Sequence, residues 1–374
     1  MQPREFTEEA YARQLDAKRV RLEAMMAEFS APDPRVHASP PTHYRLRAEF
    51  RFWRDGDDGF YAMFDRADPR RVLRIEQFPQ ASLRINALMC QLRQELLASR
   101  ELNQRLFQVE FLSTLGGEAL VTLIYHRRLD TAWEQEAREL EARLGAHIIG
   151  RSRGQRIVLS QAHVTETFLV DGERFLLRQP EGCFVQPNGE VNRGMLQWAR
   201  QCAPPSGAGL VELYCGIGNF TVALAPRFDR VLATEINKGA IEAARFNLAA
   251  NDIDNCFLAR LSSEEAAAAL QRSRPFRRLA SFDIDAFRPQ TVFVDPPRAG
   301  LDAATLRFVA GFPKIIYVSC NPVTLCANIR ALSASHRIER LALFDQFPYT
   351  DHIECGVLLQ KARRASRQGD DAHD

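Results

Sequence analysis

The eight cysteines (Cys90, Cys183, Cys202, Cys215, Cys256, Cys320, Cys326 and Cys355) are scattered, and no two form a Cys-x-x-Cys pair. Zinc and iron–sulfur sites need thiolates clustered at short spacing, so neither a metal nor an iron–sulfur cluster is expected. A disulfide framework does not suit a large chain of cytoplasmic type either. Long apolar runs are also missing: nothing approaches the ~18 consecutive residues of a membrane helix. The first residues, Met1–Glu9, lack the basic-then-apolar layout of a signal sequence. These absences predict a soluble, cytoplasmic protein with no membrane partner. Lysine is nearly absent: Lys18, Lys238, Lys314 and Lys361 stand against 45 arginines. That bias reads first as genome composition, and second as a supply of guanidinium forks that suit phosphates and base edges. The net charge of only +2 gives no polybasic signature. What remains is globular: 374 residues, 46% hydrophobic and 26% charged, enough for two domains with real cores.

Residues 11–29 read as an amphipathic helix with Leu15, Val20, Leu22 and Met26 among its apolar positions, stopped by Pro32 and Pro34. From there to about Gln179 the chain reads as β-rich. Between Tyr44 and Phe52, apolar residues alternate strictly with Arg45, Arg47, Glu49 and Arg51, which predicts a half-buried strand with an arginine-bearing outer face. Turns at residues 55–58, Gly116-Gly117 and Asp171-Gly172 predict three hairpins, and Trp133–Leu144 a helix closed by Gly145. Near Pro187 the pattern changes. Strand-like runs (Leu210–Tyr214, Val231–Thr234, Thr291–Val294, Ile315–Ser319) then alternate with helical segments, which predicts an α/β fold with a doubly wound, mostly parallel sheet.

Ligands of such sheets sit beyond the carboxyl ends of the strands, so the residues closing each run carry the interest. The first run enters Tyr214-Cys215-Gly216-Ile217-Gly218-Asn219, a glycine turn ahead of a helix. By itself that is a tight turn. Glu235, about 20 residues on and closing the next run, is spaced as an acid for ribose hydroxyls, and together they suggest an adenosine-containing cofactor. The third run ends in Asp295-Pro296-Pro297-Arg298, which places a carboxylate at the same rim or makes an ordinary Asp-Pro turn. The fourth ends in Ser319-Cys320-Asn321-Pro322, with Cys320 at the mouth of the cleft where a nucleophile is useful; Cys326, inside the next helix, reads as packing. In Phe344–Cys355, Glu354 stands between apolar neighbours, as a buried paired carboxylate or as a general base.

These segments resemble the RNA uracil-C5 methyltransferase family, and within it the tRNA-directed branch, through essentially the whole chain. Leu213–Thr221, Val294–Leu301, Val318–Asn328 and Phe344–Leu358 carry the resemblance most strongly, with His43–Phe64 and Arg105–His126 in the amino half. Relatives acting on ribosomal RNA usually carry an added β-barrel and a four-cysteine iron–sulfur site, whereas this chain has no cysteine before Cys90. The resemblance implies S-adenosylmethionine as methyl donor, held by Gln186, Tyr214, Asn219, Glu235 and Asp295. It assigns Cys320 to attack uracil C6 and Glu354 to remove the C5 proton. It implies 5-methyluridine at position 54 in the T loop of tRNA, with the similar loop of tmRNA as a second RNA partner and no obligatory protein partner. Methylation of ribosomal RNA is the alternative within the chemistry; an RNA-folding chaperone with secondary catalysis is the alternative outside it.

The expected organisation follows: residues 1–36 a helix packed on the catalytic domain, 37–180 a β-rich (α+β) RNA-binding domain, 181–362 a Rossmann-like methyltransferase domain, and 363–374 a polar tail. Arg45, Arg47, Arg51 and the basic runs 151–156 and 274–278 are candidates for holding RNA phosphates.

Overall fold

In the computed structural model, which describes residues 6–362 apart from 57, 66–67, 69, 204 and 275, Thr7 caps the first helix. The polar tail at 363–374 lies outside the described residues. Helix α1 (Glu8–Met26) starts three residues before the expected point because the Thr7 hydroxyl accepts the Ala10 amide at 3.1 Å. Tyr11, Lys18, Leu22 and Met26 are its buried stripe. Val20, one of the helix's apolar positions, is 50% exposed: it stands two residues from both Lys18 and Leu22, on the far side of the helix. Strand β1 (Arg35–His37) follows.

The amino-terminal sheet begins with the expected hairpin of β2 (Arg47–Asp55) and β3 (Asp58–Phe64), extended by β4 (Val72–Ile75). Next comes a helix that the sequence reading passed over within its β-rich stretch, α2 (Leu83–Ala98). Its signal is in the chain: Ser82 accepts the Ile85 amide, and Ile85, Leu88, Met89, Leu92 and Leu96 are buried at helical spacing. The short α3 (Arg100–Asn103) leads to β5 (Leu106–Ser113) and β6 (Ala119–Tyr125), paired about the Gly116-Gly117 turn. Helix α4 (Thr131–Leu144) ends at Gly145, whose φ of 56° is a left-handed cap, and crosses over to β7 (His147–Ser152) and β8 (Gln155–Val158). The sheet order is β4-β3-β2-β5-β6-β7-β8, with only β6 and β7 parallel. Helices α2 and α4 bury one face around Phe50, Phe111, Val121 and Trp133.

The Asp171-Gly172 turn joins β9 (His163–Val170) to β10 (Glu173–Pro180) as a separate ribbon. Phe168, Val170, Phe175 and Leu177 of this ribbon pack in the core of the carboxyl half, so buried apolar contact crosses the boundary expected at residue 180.

The carboxyl half runs α5 (Gly189–Cys202), β11 (Ser206–Leu213), α6 (Thr221–Leu224), β12 (Phe228–Thr234), α7 (Lys238–Ala250), β13 (Cys256–Ala259) and α8 (Ser263–Leu270). It continues with β14 (Pro289–Val294), α9 (Ala303–Val309), β15 (Lys314–Ser319), α10 (Pro322–Leu332), β16 (His336–Phe344) and β17 (Glu354–Lys361). Its sheet is ordered β1-β16-β17-β15-β14-β11-β12-β13. Strands β11 to β15 are mutually parallel, β17 runs antiparallel to both β15 and β16, and β1 joins the edge beside β16. The four runs read from sequence are β11, β12, β14 and β15. The order reverses between β11 and β14, which opens a crevice beyond their carboxyl ends. Among the described residues no helix is long and apolar enough to cross a membrane.

Candidate active site

Beyond β11 the backbone turns sharply. Tyr214 takes φ 63°, Gly216 55° and Gly218 84°. A tyrosine in the left-handed region costs about 1–3 kcal/mol and persists only where the surroundings over-determine it. They do: its hydroxyl hydrogen-bonds Ser263 Oγ at 2.8 Å, and the next amide, of Cys215, donates to Thr234 O at 3.0 Å. A Cβ on Gly216 would meet nothing within 4 Å, so the space above the turn is open to a ligand. The Gly216 amide donates to the Glu235 carboxylate at 3.2 Å, and the other Glu235 oxygen accepts the Asn237 amide at 2.7 Å. The acid closing β12 is thereby tied to the turn closing β11.

Asn219 exchanges two hydrogen bonds with Asn192 of α5, at 2.8 and 2.9 Å. Gln186, just ahead of α5, accepts from Gln346 Nε2 at 3.2 Å, which orients its own amide group. Ile236, directly after Glu235, and Phe184, two residues before Gln186, are 66% and 71% exposed. The sequence reading did not single them out; the signal was an apolar residue directly after a strand-end acid. A fixed carboxylate, an open glycine turn, oriented amides and an exposed apolar side chain fit an adenosine-containing methyl donor.

The opposite wall is built on β14, β15 and β17. Ser319, last in β15, lies opposite Cys355 of β17, so Cys320 and Glu354 are the next positions outward on these antiparallel strands. Val294, last in β14, pairs with Tyr317, which sets Asp295 on the other flank of β15. Asn321 Nδ2 and Thr324 Oγ1 both donate to Arg298 O, at 2.9 and 3.2 Å, and so lash the Asp295–Arg298 turn to the Cys320 turn.

Withdrawal from water, then the charge of Asp295, push the Glu354 carboxyl well above the usual range; burial pushes Asp295 up too. The Cys320 thiol is pushed up to about 11, first by burial and then by Glu354 and Asp295, with Arg298 acting against them. Cys320 also precedes α10, whose cap Asn321 accepts the Val323 amide at 3.1 Å, and a helix N-terminus favours thiolate. That help is outweighed: burial and the two neighbouring carboxyls favour the neutral thiol over the thiolate. Cys326 is buried in α10 with its sulfur 3.6 Å from Met25 O.

A fourth acid escaped the sequence reading. Glu212, in β11 beneath the glycine turn, is 1% exposed, with the buried Thr221 hydroxyl as its polar neighbour. Burial pushes it up to about 8. An acid inside an apolar run (Leu210-Val211-Glu212-Leu213) was the available signal. Among the described residues no cluster of histidine, cysteine and acidic side chains is arranged to hold a metal ion.

On the amino-terminal sheet the candidate arginines divide. Arg45 and Arg47 do not stand on a free outer face: Arg45 bridges to Asn188, and Arg47 donates to Cys183 O at 3.2 Å, because residues 45–47 dock on the segment leading into α5. Arg151 and Arg156 are paired with Glu181 at 2.8 and 3.1 Å. The Arg51 guanidinium carbon lies over the Phe107 ring, 3.6 Å from its centroid, and that ring stacks on His126 at 3.9 Å. With Trp53, Arg54 and Phe64 they line an open groove of about 620 Å³. The aromatic members of this groove were not foreseen, because they come from different strands.

A Rossmann-like sheet with this strand order and an open glycine turn beyond β11 is a methyltransferase fold. The profile of the tRNA (uracil-5-)-methyltransferase family matches residues 10–362, and the chain belongs to that family. A tRNA/tmRNA (uracil-C(5))-methyltransferase of Aromatoleum aromaticum is 55% identical over 351 residues, covering 94% of this chain and 95% of that protein. Its namesake in Chromohalobacter salexigens is 55% identical over 364 residues, covering 96% and 98%. The solved Pyrococcus abyssi tRNA (uracil-54, C5)-methyltransferase, in complex with S-adenosyl-L-homocysteine, superposes with a TM-score of 0.70 at 21% identity. That superposition covers 93% of this chain and 83% of that one, a likeness of fold.

Proposed function

We propose that this enzyme methylates C5 of uridine 54 in the T loop of tRNA, and of the matching uridine in tmRNA, through a covalent adduct on Cys320. The reading rests chiefly on the meeting of Cys320, Glu354 and Asp295 at one edge of the crevice that Glu235 also borders. Uracil C5 has no electron pair to offer until C6 is attacked. The Cys320 thiolate adds to C6; the new S–C bond sends the C5–C6 π electrons into an enolate over C5 and O4. S-adenosylmethionine, when bound, would supply an electrophilic methyl carbon: C5 takes it up as the methyl–sulfonium bond breaks, the electron pair leaving on sulfur as the neutral thioether S-adenosylhomocysteine. Gln186, Tyr214, Asn219, Glu235 and Asp295 hold this donor, with Glu235 on the ribose hydroxyls. Glu354 then accepts the C5 proton, the electrons restore the C5–C6 double bond, and Cys320 leaves as thiolate. Two carboxyls in electrostatic contact resist ionising together, so the ionised Glu354 is a stronger base than a carboxylate in water.

A stacked uridine cannot reach Cys320 and must be extruded. Residues 37–180 grip the T arm and residues 181–362 carry out the chemistry. The groove of Arg51, Trp53, Phe107 and His126 offers ring faces for unstacked bases and guanidinium groups for phosphates. Along β2, Arg47 at the cleft and Trp53 are six residues apart, about 20 Å of strand, the scale of a stem-loop. A tRNA substrate places the activity in the cytoplasm. Incubation with labelled S-adenosylmethionine and total RNA, followed by mapping of the labelled nucleotide, tests the reading. Label as 5-methyluridine in the T loop supports it; label confined to ribosomal RNA, or to another position, overturns it.

A further inference from the structure

The loop 345–353, which joins β16 to β17, delivers Glu354 to the site, yet most of what restrains it comes from the other end of the chain. Helix α1 is anchored by Leu22 and Met26 in the main core, and its amino-terminal part lies along this loop. Gln14 spans two consecutive residues: its Nε2 donates to Thr350 O at 2.9 Å and its Oε1 accepts the Tyr349 amide at 3.1 Å. Arg21 donates to Asp351 O at 3.2 Å, and the Tyr349 hydroxyl donates to Thr7 O at 3.2 Å. Tyr349 itself is held at φ 58°, a left-handed strain that needs such restraint.

At the loop's first residue, Lys18 Nζ meets Asp345 Oδ1 at 2.6 Å and Phe347 O at 2.9 Å, with both side chains buried (4% and 0% exposed). A buried ion pair contributes little net stability, because desolvation offsets attraction, so its value is better sought in fixing one arrangement. The next residue shows what is fixed. Gln346 accepts the Asn188 amide at 3.2 Å and donates to Gln186 Oε1 at 3.2 Å and to Met195 Sδ at 3.0 Å. One loop thus carries, at its start, the contact that orients Gln186 and, at its end, the residue preceding Glu354.

We propose that α1 is a strap and the Lys18–Asp345 pair its latch, which together set the cofactor-side amide of Gln186 and the carboxylate of Glu354 from a single loop. Lys18 and Gln14 are positioning residues: neither touches a reacting atom. The proposal rests on the roles given to Gln186 and Glu354 in the proposed function. It predicts that loosening the strap slows the steps that depend on the loop and leaves the RNA grip, built on the other sheet, untouched.

The test uses full-length Lys18→Met and Gln14→Ala proteins, with active sites titrated by covalent capture of 5-fluorouridine tRNA. Lys18→Met should bind S-adenosylmethionine more weakly and release 5-methyluridine about ten- to a hundredfold more slowly per titrated site, the scale of small misplacements of reacting groups. Methylated protein–RNA adduct should accumulate, while tRNA affinity stays at the wild-type value. Gln14→Ala should do the same in smaller measure, and it decides the matter alone if Lys18→Met does not fold. A purely structural role lowers the melting temperature but leaves the rate per titrated site and the donor affinity unchanged; that result in the folded variants overturns the strap. Glu354→Gln, run alongside, separates the two ideas: wild-type release from that variant removes the base assignment itself, whereas a stalled Glu354→Gln beside normal strap variants removes only the strap.

Discussion

At the strand ends of the wall made by β11 and β12, the polar groups that face the crevice are already paired: Glu235 holds two backbone amides, Asn219 is locked to Asn192, and Tyr214 to Ser263. On the wall made by β14, β15 and β17, burial and like charge crowd a thiol and two carboxyls, and every one of them is driven toward its neutral form. The difference follows from what each wall must do. A binding group gains by being oriented in advance, because less freedom is lost when the ligand arrives. A reacting group crowded and buried in this way is held toward its neutral form, and its ionised form, once made, is the stronger base or nucleophile.

The sharpest break in the comparison is Cys320→Ala, which should lower 5-methyluridine formation by about 10⁴-fold or more while leaving donor affinity unchanged in calorimetry. Turnover close to wild type would place the chemistry elsewhere. Glu354→Gln should still allow addition and methyl uptake but stall before elimination, because a carboxamide nearly keeps the shape and cannot accept the proton. Methylated RNA bound covalently to protein should collect on denaturing gels, with release slowed about 10²–10⁴-fold. Glu235→Gln acts on the other wall. It should weaken S-adenosylmethionine by about 1–3 kcal/mol, the cost of a charge-assisted hydrogen bond, and leave turnover at saturating donor close to wild type. An unchanged donor affinity would refute its ribose role.

The last effect concerns stability rather than catalysis. Glu212 is raised from 4.5 to about 8 by burial, so the folded protein keeps a proton that the unfolded chain has lost between those values. Stability should therefore fall as pH rises across this window, with Glu212 contributing about 1.4 kcal/mol per pH unit. Glu212→Gln should flatten that dependence in denaturant titrations at pH 5, 6, 7 and 8; an unaltered slope would show that Glu212 does not titrate there.

Sequence legibility also differed between regions. The parallel strands β11, β12, β14 and β15 were readable because each is a buried apolar run ending in a chemically marked residue, and Glu235 gained meaning from its distance to the glycine turn. What depends on chain ends meeting was not readable. Nothing near Lys18 in sequence announces Asp345, and nothing in Phe107 or His126 announces Arg51. Helix α2 is a different case: its spacing was present but was masked by strand-like neighbours on both sides. Alternation put Arg45 and Arg47 on the less buried face, as the burial pattern has it, but it defines a face without saying what docks on it.

The central claim is that Cys320 is the atom that joins protein to RNA. Wild-type protein incubated with S-adenosylmethionine and tRNA carrying 5-fluorouridine at position 54 should form a stable adduct, since fluorine cannot leave as a proton. Digestion and mass analysis should then find the nucleotide on the peptide containing Ser319-Cys320-Asn321, fragmenting at Cys320. Attachment at Cys326, Cys183 or any other residue, or the same adduct from Cys320→Ala, would contradict the account.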